Sequence, residues 1–149
     1  MIFRTLLLVL VALLSSCRQA GEPPLPPASD HEEVAITEAD IDMPANYSDA
    51  LTRIASYRDT IRNSVEAGAA SAAHRPLDEL DIVLDKLPWI AKASGIPKEH
   101  WETVNLTGQE LRGLFNQIHS AIDGKREPDY KAVAEPIEQA ITKLKQVAP

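Results

Sequence analysis

The chain has 149 residues, with 15 Lys and Arg against 22 Asp and Glu, a formal charge of −7, and a single cysteine. That length suits one domain of ordinary size, and an acidic balance without a basic stripe argues against nucleic acid and anionic lipid faces as partners, because both are bound through clustered cations. A lone cysteine allows neither an internal disulfide nor a thiolate metal site.

Residues 1–16 have the form of a signal peptide. One basic residue, Arg4, precedes an apolar run over residues 6–14, which is too short to span a bilayer but suits the apolar region of a secretory signal. The run closes on Leu14-Ser15-Ser16-Cys17. These four residues resemble the bacterial lipobox, and the resemblance implies a lipoprotein cut before Cys17, with lipid on the Cys17 thiol and on the new amino terminus. It also implies attachment to the cell envelope. Arg18 rather than Asp follows Cys17, which by the same resemblance favours the outer membrane, with the domain facing the periplasm.

Residues 17–45 read as a tether behind the lipid. Pro23, Pro24, Pro26 and Pro27 favour extended polyproline, and Asp30, Glu32, Glu33, Glu38, Asp40 and Asp42 repel one another. Val34, Ile36, Ile41 and Met43 are the residues in this stretch with the character to dock on the domain.

Over residues 46–149 the apolar spacing is helical. Asn46 is a cap candidate for a first helix with the stripe Tyr47, Leu51, Ile54, Tyr57 or Arg58, Ile61 and Val65, ending at Gly68. A second helix opens at His74-Arg75-Pro76, presents Leu77, Leu80, Leu84, Leu87 and Ala91, and stops at Ser94-Gly95, with Pro88 predicting a kink. The third starts at Pro97, aligns Trp101, Val104, Gly108, Leu111, Phe115, Ile118 and Ile122, and ends at Asp123-Gly124. The fourth opens at Pro128 and turns Tyr130, Val133, Ile137, Ile141, Leu144 and Val147 inward, with Pro136 predicting a bend. Four amphipathic segments on short connections predict an all-α fold, an up-down-up-down antiparallel four-helix bundle.

That topology puts Trp89 and Trp101 at the end nearer the membrane. They offer either an aromatic surface for lipid or a partner, or two large side chains closing the bundle end. The second reading is favoured because Trp101 already belongs to the core stripe.

The other end holds the residues with chemistry to offer. His74, Asp78, Asp81 and Asp85 share one face of the second helix, and Asn116, His119 and Asp123 share one face of the third. His74 and His119 are expected at one height, with Asp78 and Asp81 a turn or two below, so His74, Asp78, Asp81 and His119 form a candidate divalent-metal set. Against it, acidic residues on one helix face commonly form a solvated surface, and no motif of fixed ligand spacing is present.

The stretch from His74 to Pro88, a glycine turn, and a fourth helix opening Pro128-Asp-Tyr-Lys-Ala-Val-Ala134 resemble exported four-helix-bundle proteins of planctomycete-type bacteria. These are similar in outline to the cytochrome b-type and cytochrome c-prime bundles. In those relatives further histidines follow the one matching His74, where Asp78 and Ile82 stand here. Haem finds no motif, because there is no Cys-x-x-Cys-His, no Met early in the first helix and no His in the fourth. Nor is there a patterned nucleophile or phosphate loop, so catalysis is not expected. The sequence thus points to a non-catalytic binding or interaction module, anchored to the membrane by its lipid and engaging an envelope protein. The alternative is a divalent-metal or electron-transfer bundle using the distal His and Asp residues.

Overall fold

Asn46 starts the folded helices as a cap should. Its Oδ1 accepts a hydrogen bond from the Asp49 amide at 2.9 Å, while Asp49 Oδ2 accepts from the Ala45 amide at 3.0 Å, so two donors at the helix entry are satisfied reciprocally. A computed structural model describes residues 36–147, which lie within one compact unit, Val34–Pro149. The signal segment, Cys17 and the proline-rich stretch fall outside the described residues.

Four helices account for most of what is described: α1 (Tyr47–Glu66), α2 (His74–Ala93), α3 (Trp101–Asp123) and α4 (Tyr130–Gln146). Short 3-10 turns at Glu38–Asp40, Ala70–Ala73 and Lys98–His100 join or precede them, and there is no strand among the described residues. Helix α1 packs on α2 and α4, and α3 packs on α2 and α4. The core is the sum of the four stripes. Leu77, Leu80, Leu84, Leu87 and Ala91 of α2 are buried, joined by Val83 and Ile90, and α3 buries Val104, Gly108, Leu111, Phe115 and Ile118. At about 1.5–3 kcal/mol for each large aliphatic side chain, this burial is what sets helix against helix.

Tyr47 ties three helices together at one end. Its backbone amide donates to Ser94 Oγ just past α2, at 2.8 Å, and its hydroxyl donates to the Leu144 carbonyl of α4 at 3.1 Å. Ser94 Oγ in turn donates to the Ile90 carbonyl at 2.8 Å. Midway along, Arg58 of α1 grips both carboxylate oxygens of Glu138 on α4.

Structure begins upstream of residue 46. Ile41 and Met43 pack against the core and Pro44 is buried. Glu38 pairs with Lys86 of α2 at 3.0 Å and Asp42 with Arg53 of α1 at 2.8 Å. The docking residues Ile41 and Met43 therefore behave as folded chain rather than tether, because apolar contact holds a strap that exposed ion pairs alone would not.

One feature departs from the sequence reading. Trp89 is 72% exposed. It follows Leu87 by two residues, about 200° around the helix, and so faces outward beyond Asp81 and Asp85. Only Trp101 helps to close that end: half-buried, its Nε1 donates to the Ile96 carbonyl at 2.8 Å while Lys92 Nζ lies 4.7 Å from its ring centre. Helix α3 ends at Asp123-Gly124 as expected, with Gly124 at φ −73° and the left-handed residue, Lys125, following at φ 52°. Glycine serves for space instead, since a Cβ at 124 would sit 3.1 Å from the Ser120 carbonyl oxygen. A lysine in that conformation costs about 1 kcal/mol relative to glycine.

Burial raises the hydroxyl pKa of both Tyr47 and Tyr130 from 10.0 to about 12. Between those values the folded chain holds protons that the unfolded chain has lost, so stability is fully present below about pH 10 and falls as the pH rises towards about 12. Urea unfolding across this range is expected to show a steeper loss for the native chain than for the double variant Tyr47→Phe, Tyr130→Phe.

Candidate metal centre

The turn after α1 decides where α2 begins. Ala70–Ala73 coils as a 3-10 turn, buries Ala73, and delivers His74 as the first residue of α2. At the other side of the same region α3 runs on to Asp123, its last residue, before the chain reverses through three backbone bonds. Gly124 N–H donates to the Ser120 carbonyl at 3.1 Å, Lys125 N–H to Ile122 at 2.9 Å and Arg126 N–H to Ala121 at 2.8 Å. The start of α2 and the end of α3 thereby meet.

Where they meet, His74 Nε2 lies 3.2 Å from Asp123 Oδ1, and His119 Nε2 lies 3.7 Å from the same oxygen. One ligand atom from each of His74, His119 and Asp123 falls within 4.8 Å of the others. A metal about 2.0–2.1 Å from each of its tetrahedral ligands separates those ligands by roughly 3.3 Å, so small side-chain adjustments bring these atoms into one coordination sphere. The two imidazoles are tilted at 51° with centres 5.4 Å apart, an arrangement that aims two nitrogens at a common point without stacking the rings. Both histidine side chains are about three-quarters buried, at 25% and 28% exposure, while Asp123 is 59% exposed. The site therefore has a protein floor and a solvent-facing edge through which an ion can enter.

The four residues singled out in the sequence separate into two groups. His74 and His119 come together as expected, and Asp78 Oδ1 stands 3.8 Å from His119 Nε2. Asp81 does not join them. Arg112 of α3 holds both its oxygens, Nε to Oδ1 at 2.7 Å and Nη2 to Oδ2 at 2.8 Å, and reaches Asp85 with Nη1 at 3.4 Å. A bidentate guanidinium grip orients this carboxylate towards Arg112 and its positive charge disfavours a cation beside it. Asp123 takes its place, a residue that the sequence marked as a helix stop on the His119 face. The signal for it was present: Asp123 follows His119 by four residues, as Asp78 follows His74. Asn116, on the same face of α3, is exposed, and His100 lies in the turn before α3. His31 falls outside the described residues.

Comparison with protein-family models, with curated proteins and with solved structures found no match. The geometry of the cluster is therefore the ground on which a function can be argued.

The competing ligand sets make distinguishable expectations. Asp123→Ala is expected to weaken zinc binding by at least about tenfold, whereas Asp81→Asn leaves the zinc affinity within about twofold, both read by competition with a chromophoric chelator.

Proposed function

We propose that this chain is a lipid-anchored bacterial envelope protein whose four helices form an up-down-up-down antiparallel bundle, and that it is a non-catalytic module binding a divalent metal ion through His74, His119 and Asp123. The observation that carries the metal reading is the convergence of two imidazole nitrogens and a carboxylate oxygen within 4.8 Å of one another at the meeting of two helix ends. Imidazole with carboxylate and no thiolate suits zinc and its neighbours among the divalent transition metals rather than calcium or magnesium, which prefer all-oxygen shells.

The bundle reading is supported by which helix ends touch. The start of α1 bonds to the end of α4 through Tyr47 and Leu144, and to the end of α2 through Ser94. The start of α2 meets the end of α3 through His74 and Asp123. These contacts support opposite directions for α1 with α4, α1 with α2 and α2 with α3, and with them a metal cluster at the end away from Tyr47.

The anchor reading rests on the residues before the described region. Leu14-Ser15-Ser16-Cys17 supports lipid attachment at Cys17, and residues 18–35 supply a stretch with which the domain would hang from the outer membrane into the periplasm. Among the described residues no helix is long and apolar enough to cross a membrane, so the lipid is the anchor this reading requires. An envelope protein partner is a second reading, favoured by the exposed indole of Trp89, a side chain commonly placed at contact surfaces.

The full chain, exported, extracted in detergent and dialysed against zinc without chelator, is expected to carry close to one zinc per chain by elemental analysis. His74→Ala and His119→Ala are each expected to lose it, and a metal-free native protein would overturn the reading. Independently, Cys17→Ser is expected to move the exported protein from the membrane fraction to the soluble fraction; a variant that stays with the membrane would remove the lipid anchor from the proposal.

A further inference from the structure

We propose that Asp78 is the fourth ligand of this centre, making it a closed His2Asp2 site that clasps the first turns of α2 to the last turns of α3. The inference rests on the metal-binding reading above and concerns how the coordination sphere is completed. Helix α2 offers a histidine and, four residues on, an aspartate, His74 and Asp78; α3 offers the same pair, His119 and Asp123. A spacing of four puts each pair on one helix face, one turn apart. With the start of α2 set against the end of α3, each histidine faces the aspartate of the other helix. His74 Nε2 lies 3.2 Å from Asp123 Oδ1 across the helices, and His119 Nε2 lies 3.8 Å from Asp78 Oδ1 across them, beside 3.7 Å to Asp123 on its own helix.

The alternation of imidazole and carboxylate gives the site a local two-fold character, and Asp78 is the member needed to complete it. It stands just outside the tight group of His74, His119 and Asp123 and approaches it on the Nε2 side of His119, the side that would face the metal. Its side chain is 34% exposed. Asp81 is the other nearby carboxylate on α2, and Arg112 holds it away. Charge points the same way: two carboxylates and two neutral imidazoles balance a dication, whereas three ligands with one carboxylate leave a net positive site. A site with four protein ligands has no position for a reacting water, which is the mark of a structural centre rather than a catalytic one.

The test uses the full chain in detergent, stripped with chelator, then titrated with zinc and, as a visible reporter of coordination number, with cobalt(II). Expected for the native chain is one zinc bound and the strong visible cobalt absorption of a four-coordinate site with no water ligand. Asp78→Ala is expected to bind zinc about 10–100-fold more weakly and to give the weak cobalt spectrum of a higher-coordinate, water-containing site, with helix content unchanged by circular dichroism. Asp78→Asn, which keeps the side-chain volume, is expected to show the same loss. If both variants bind zinc as tightly as the native chain with an unchanged cobalt spectrum, while His119→Ala does not bind, the centre has three protein ligands; this inference then falls and the metal-binding function stands. Absence of zinc from the native chain would overturn both.

Discussion

The register between α2 and α3 is the constraint on which the candidate centre depends. At Gly108 of α3 a Cβ would meet the Leu84 carbonyl oxygen at 3.7 Å and Leu87 Cδ2 at 3.8 Å, so the two helix surfaces there are in ordinary contact. From that point the pairing is fixed outward. Arg112 reaches Asp81 and Asp85, His119 comes beside Asp78, and Asp123 comes beside His74. Sliding one helix by a single turn, about 5.4 Å, would separate every one of these pairs.

Apolar burial, and not the polar seam, holds that register. Arg112 and Asp81 are 39% and 52% exposed, and an ion pair so placed contributes between nothing and about 1 kcal/mol. Several fully buried side chains on each helix, among them Leu80, Val83 and Leu87 facing Val104, Leu111 and Ile118 in the same core, contribute far more. The salt bridge has a different consequence: by engaging Asp81 it sorts the carboxylates of α2, leaving Asp78 near the histidines. Packing sets the geometry, and the surface charges then determine which groups are committed elsewhere.

Much of this was legible in the sequence, for a reason particular to helices. A stripe such as Leu77, Leu80, Leu84, Leu87 and Ala91 repeats with the helical period, and burial follows the stripe directly. The two histidines were placed at one height because short connections reverse the chain and helix lengths then set which turns are level. The finer choices depend on contacts between helices, which a period cannot report. Asp81 and Asp78 are three residues apart on nearly the same face, and only the position of Arg112 on α3 tells them apart. Trp89 was misjudged by residue type, since its angular distance from Leu87 already placed it outside. Gly124 closes α3 where the sequence placed the stop, and the crowding around its α-carbon, visible only in three dimensions, explains the glycine while Lys125 takes the left-handed turn. Ile41 and Met43 were correctly marked as able to dock; the partners of their strap, Lys86 and Arg53, lie on two helices that the sequence alone could not bring beside it.

The position of the cluster at helix ends bears on what it can do. At the start of α2 the helix dipole leaves partial positive charge, which favours the carboxylate of Asp123 brought there by the end of α3. Metal coordination requires an ionised carboxylate beside neutral imidazoles. The short His74–Asp123 and His119–Asp123 separations would also accommodate protonated histidines as ion-pair partners of the aspartate. Protons and the proposed metal would therefore share one set of atoms in nearly one geometry. Exchanging one for the other asks for turns of side chains rather than movement of helices, because the register that positions them is held by the core below. On the proposed reading, a metal would load there with little movement of the helices.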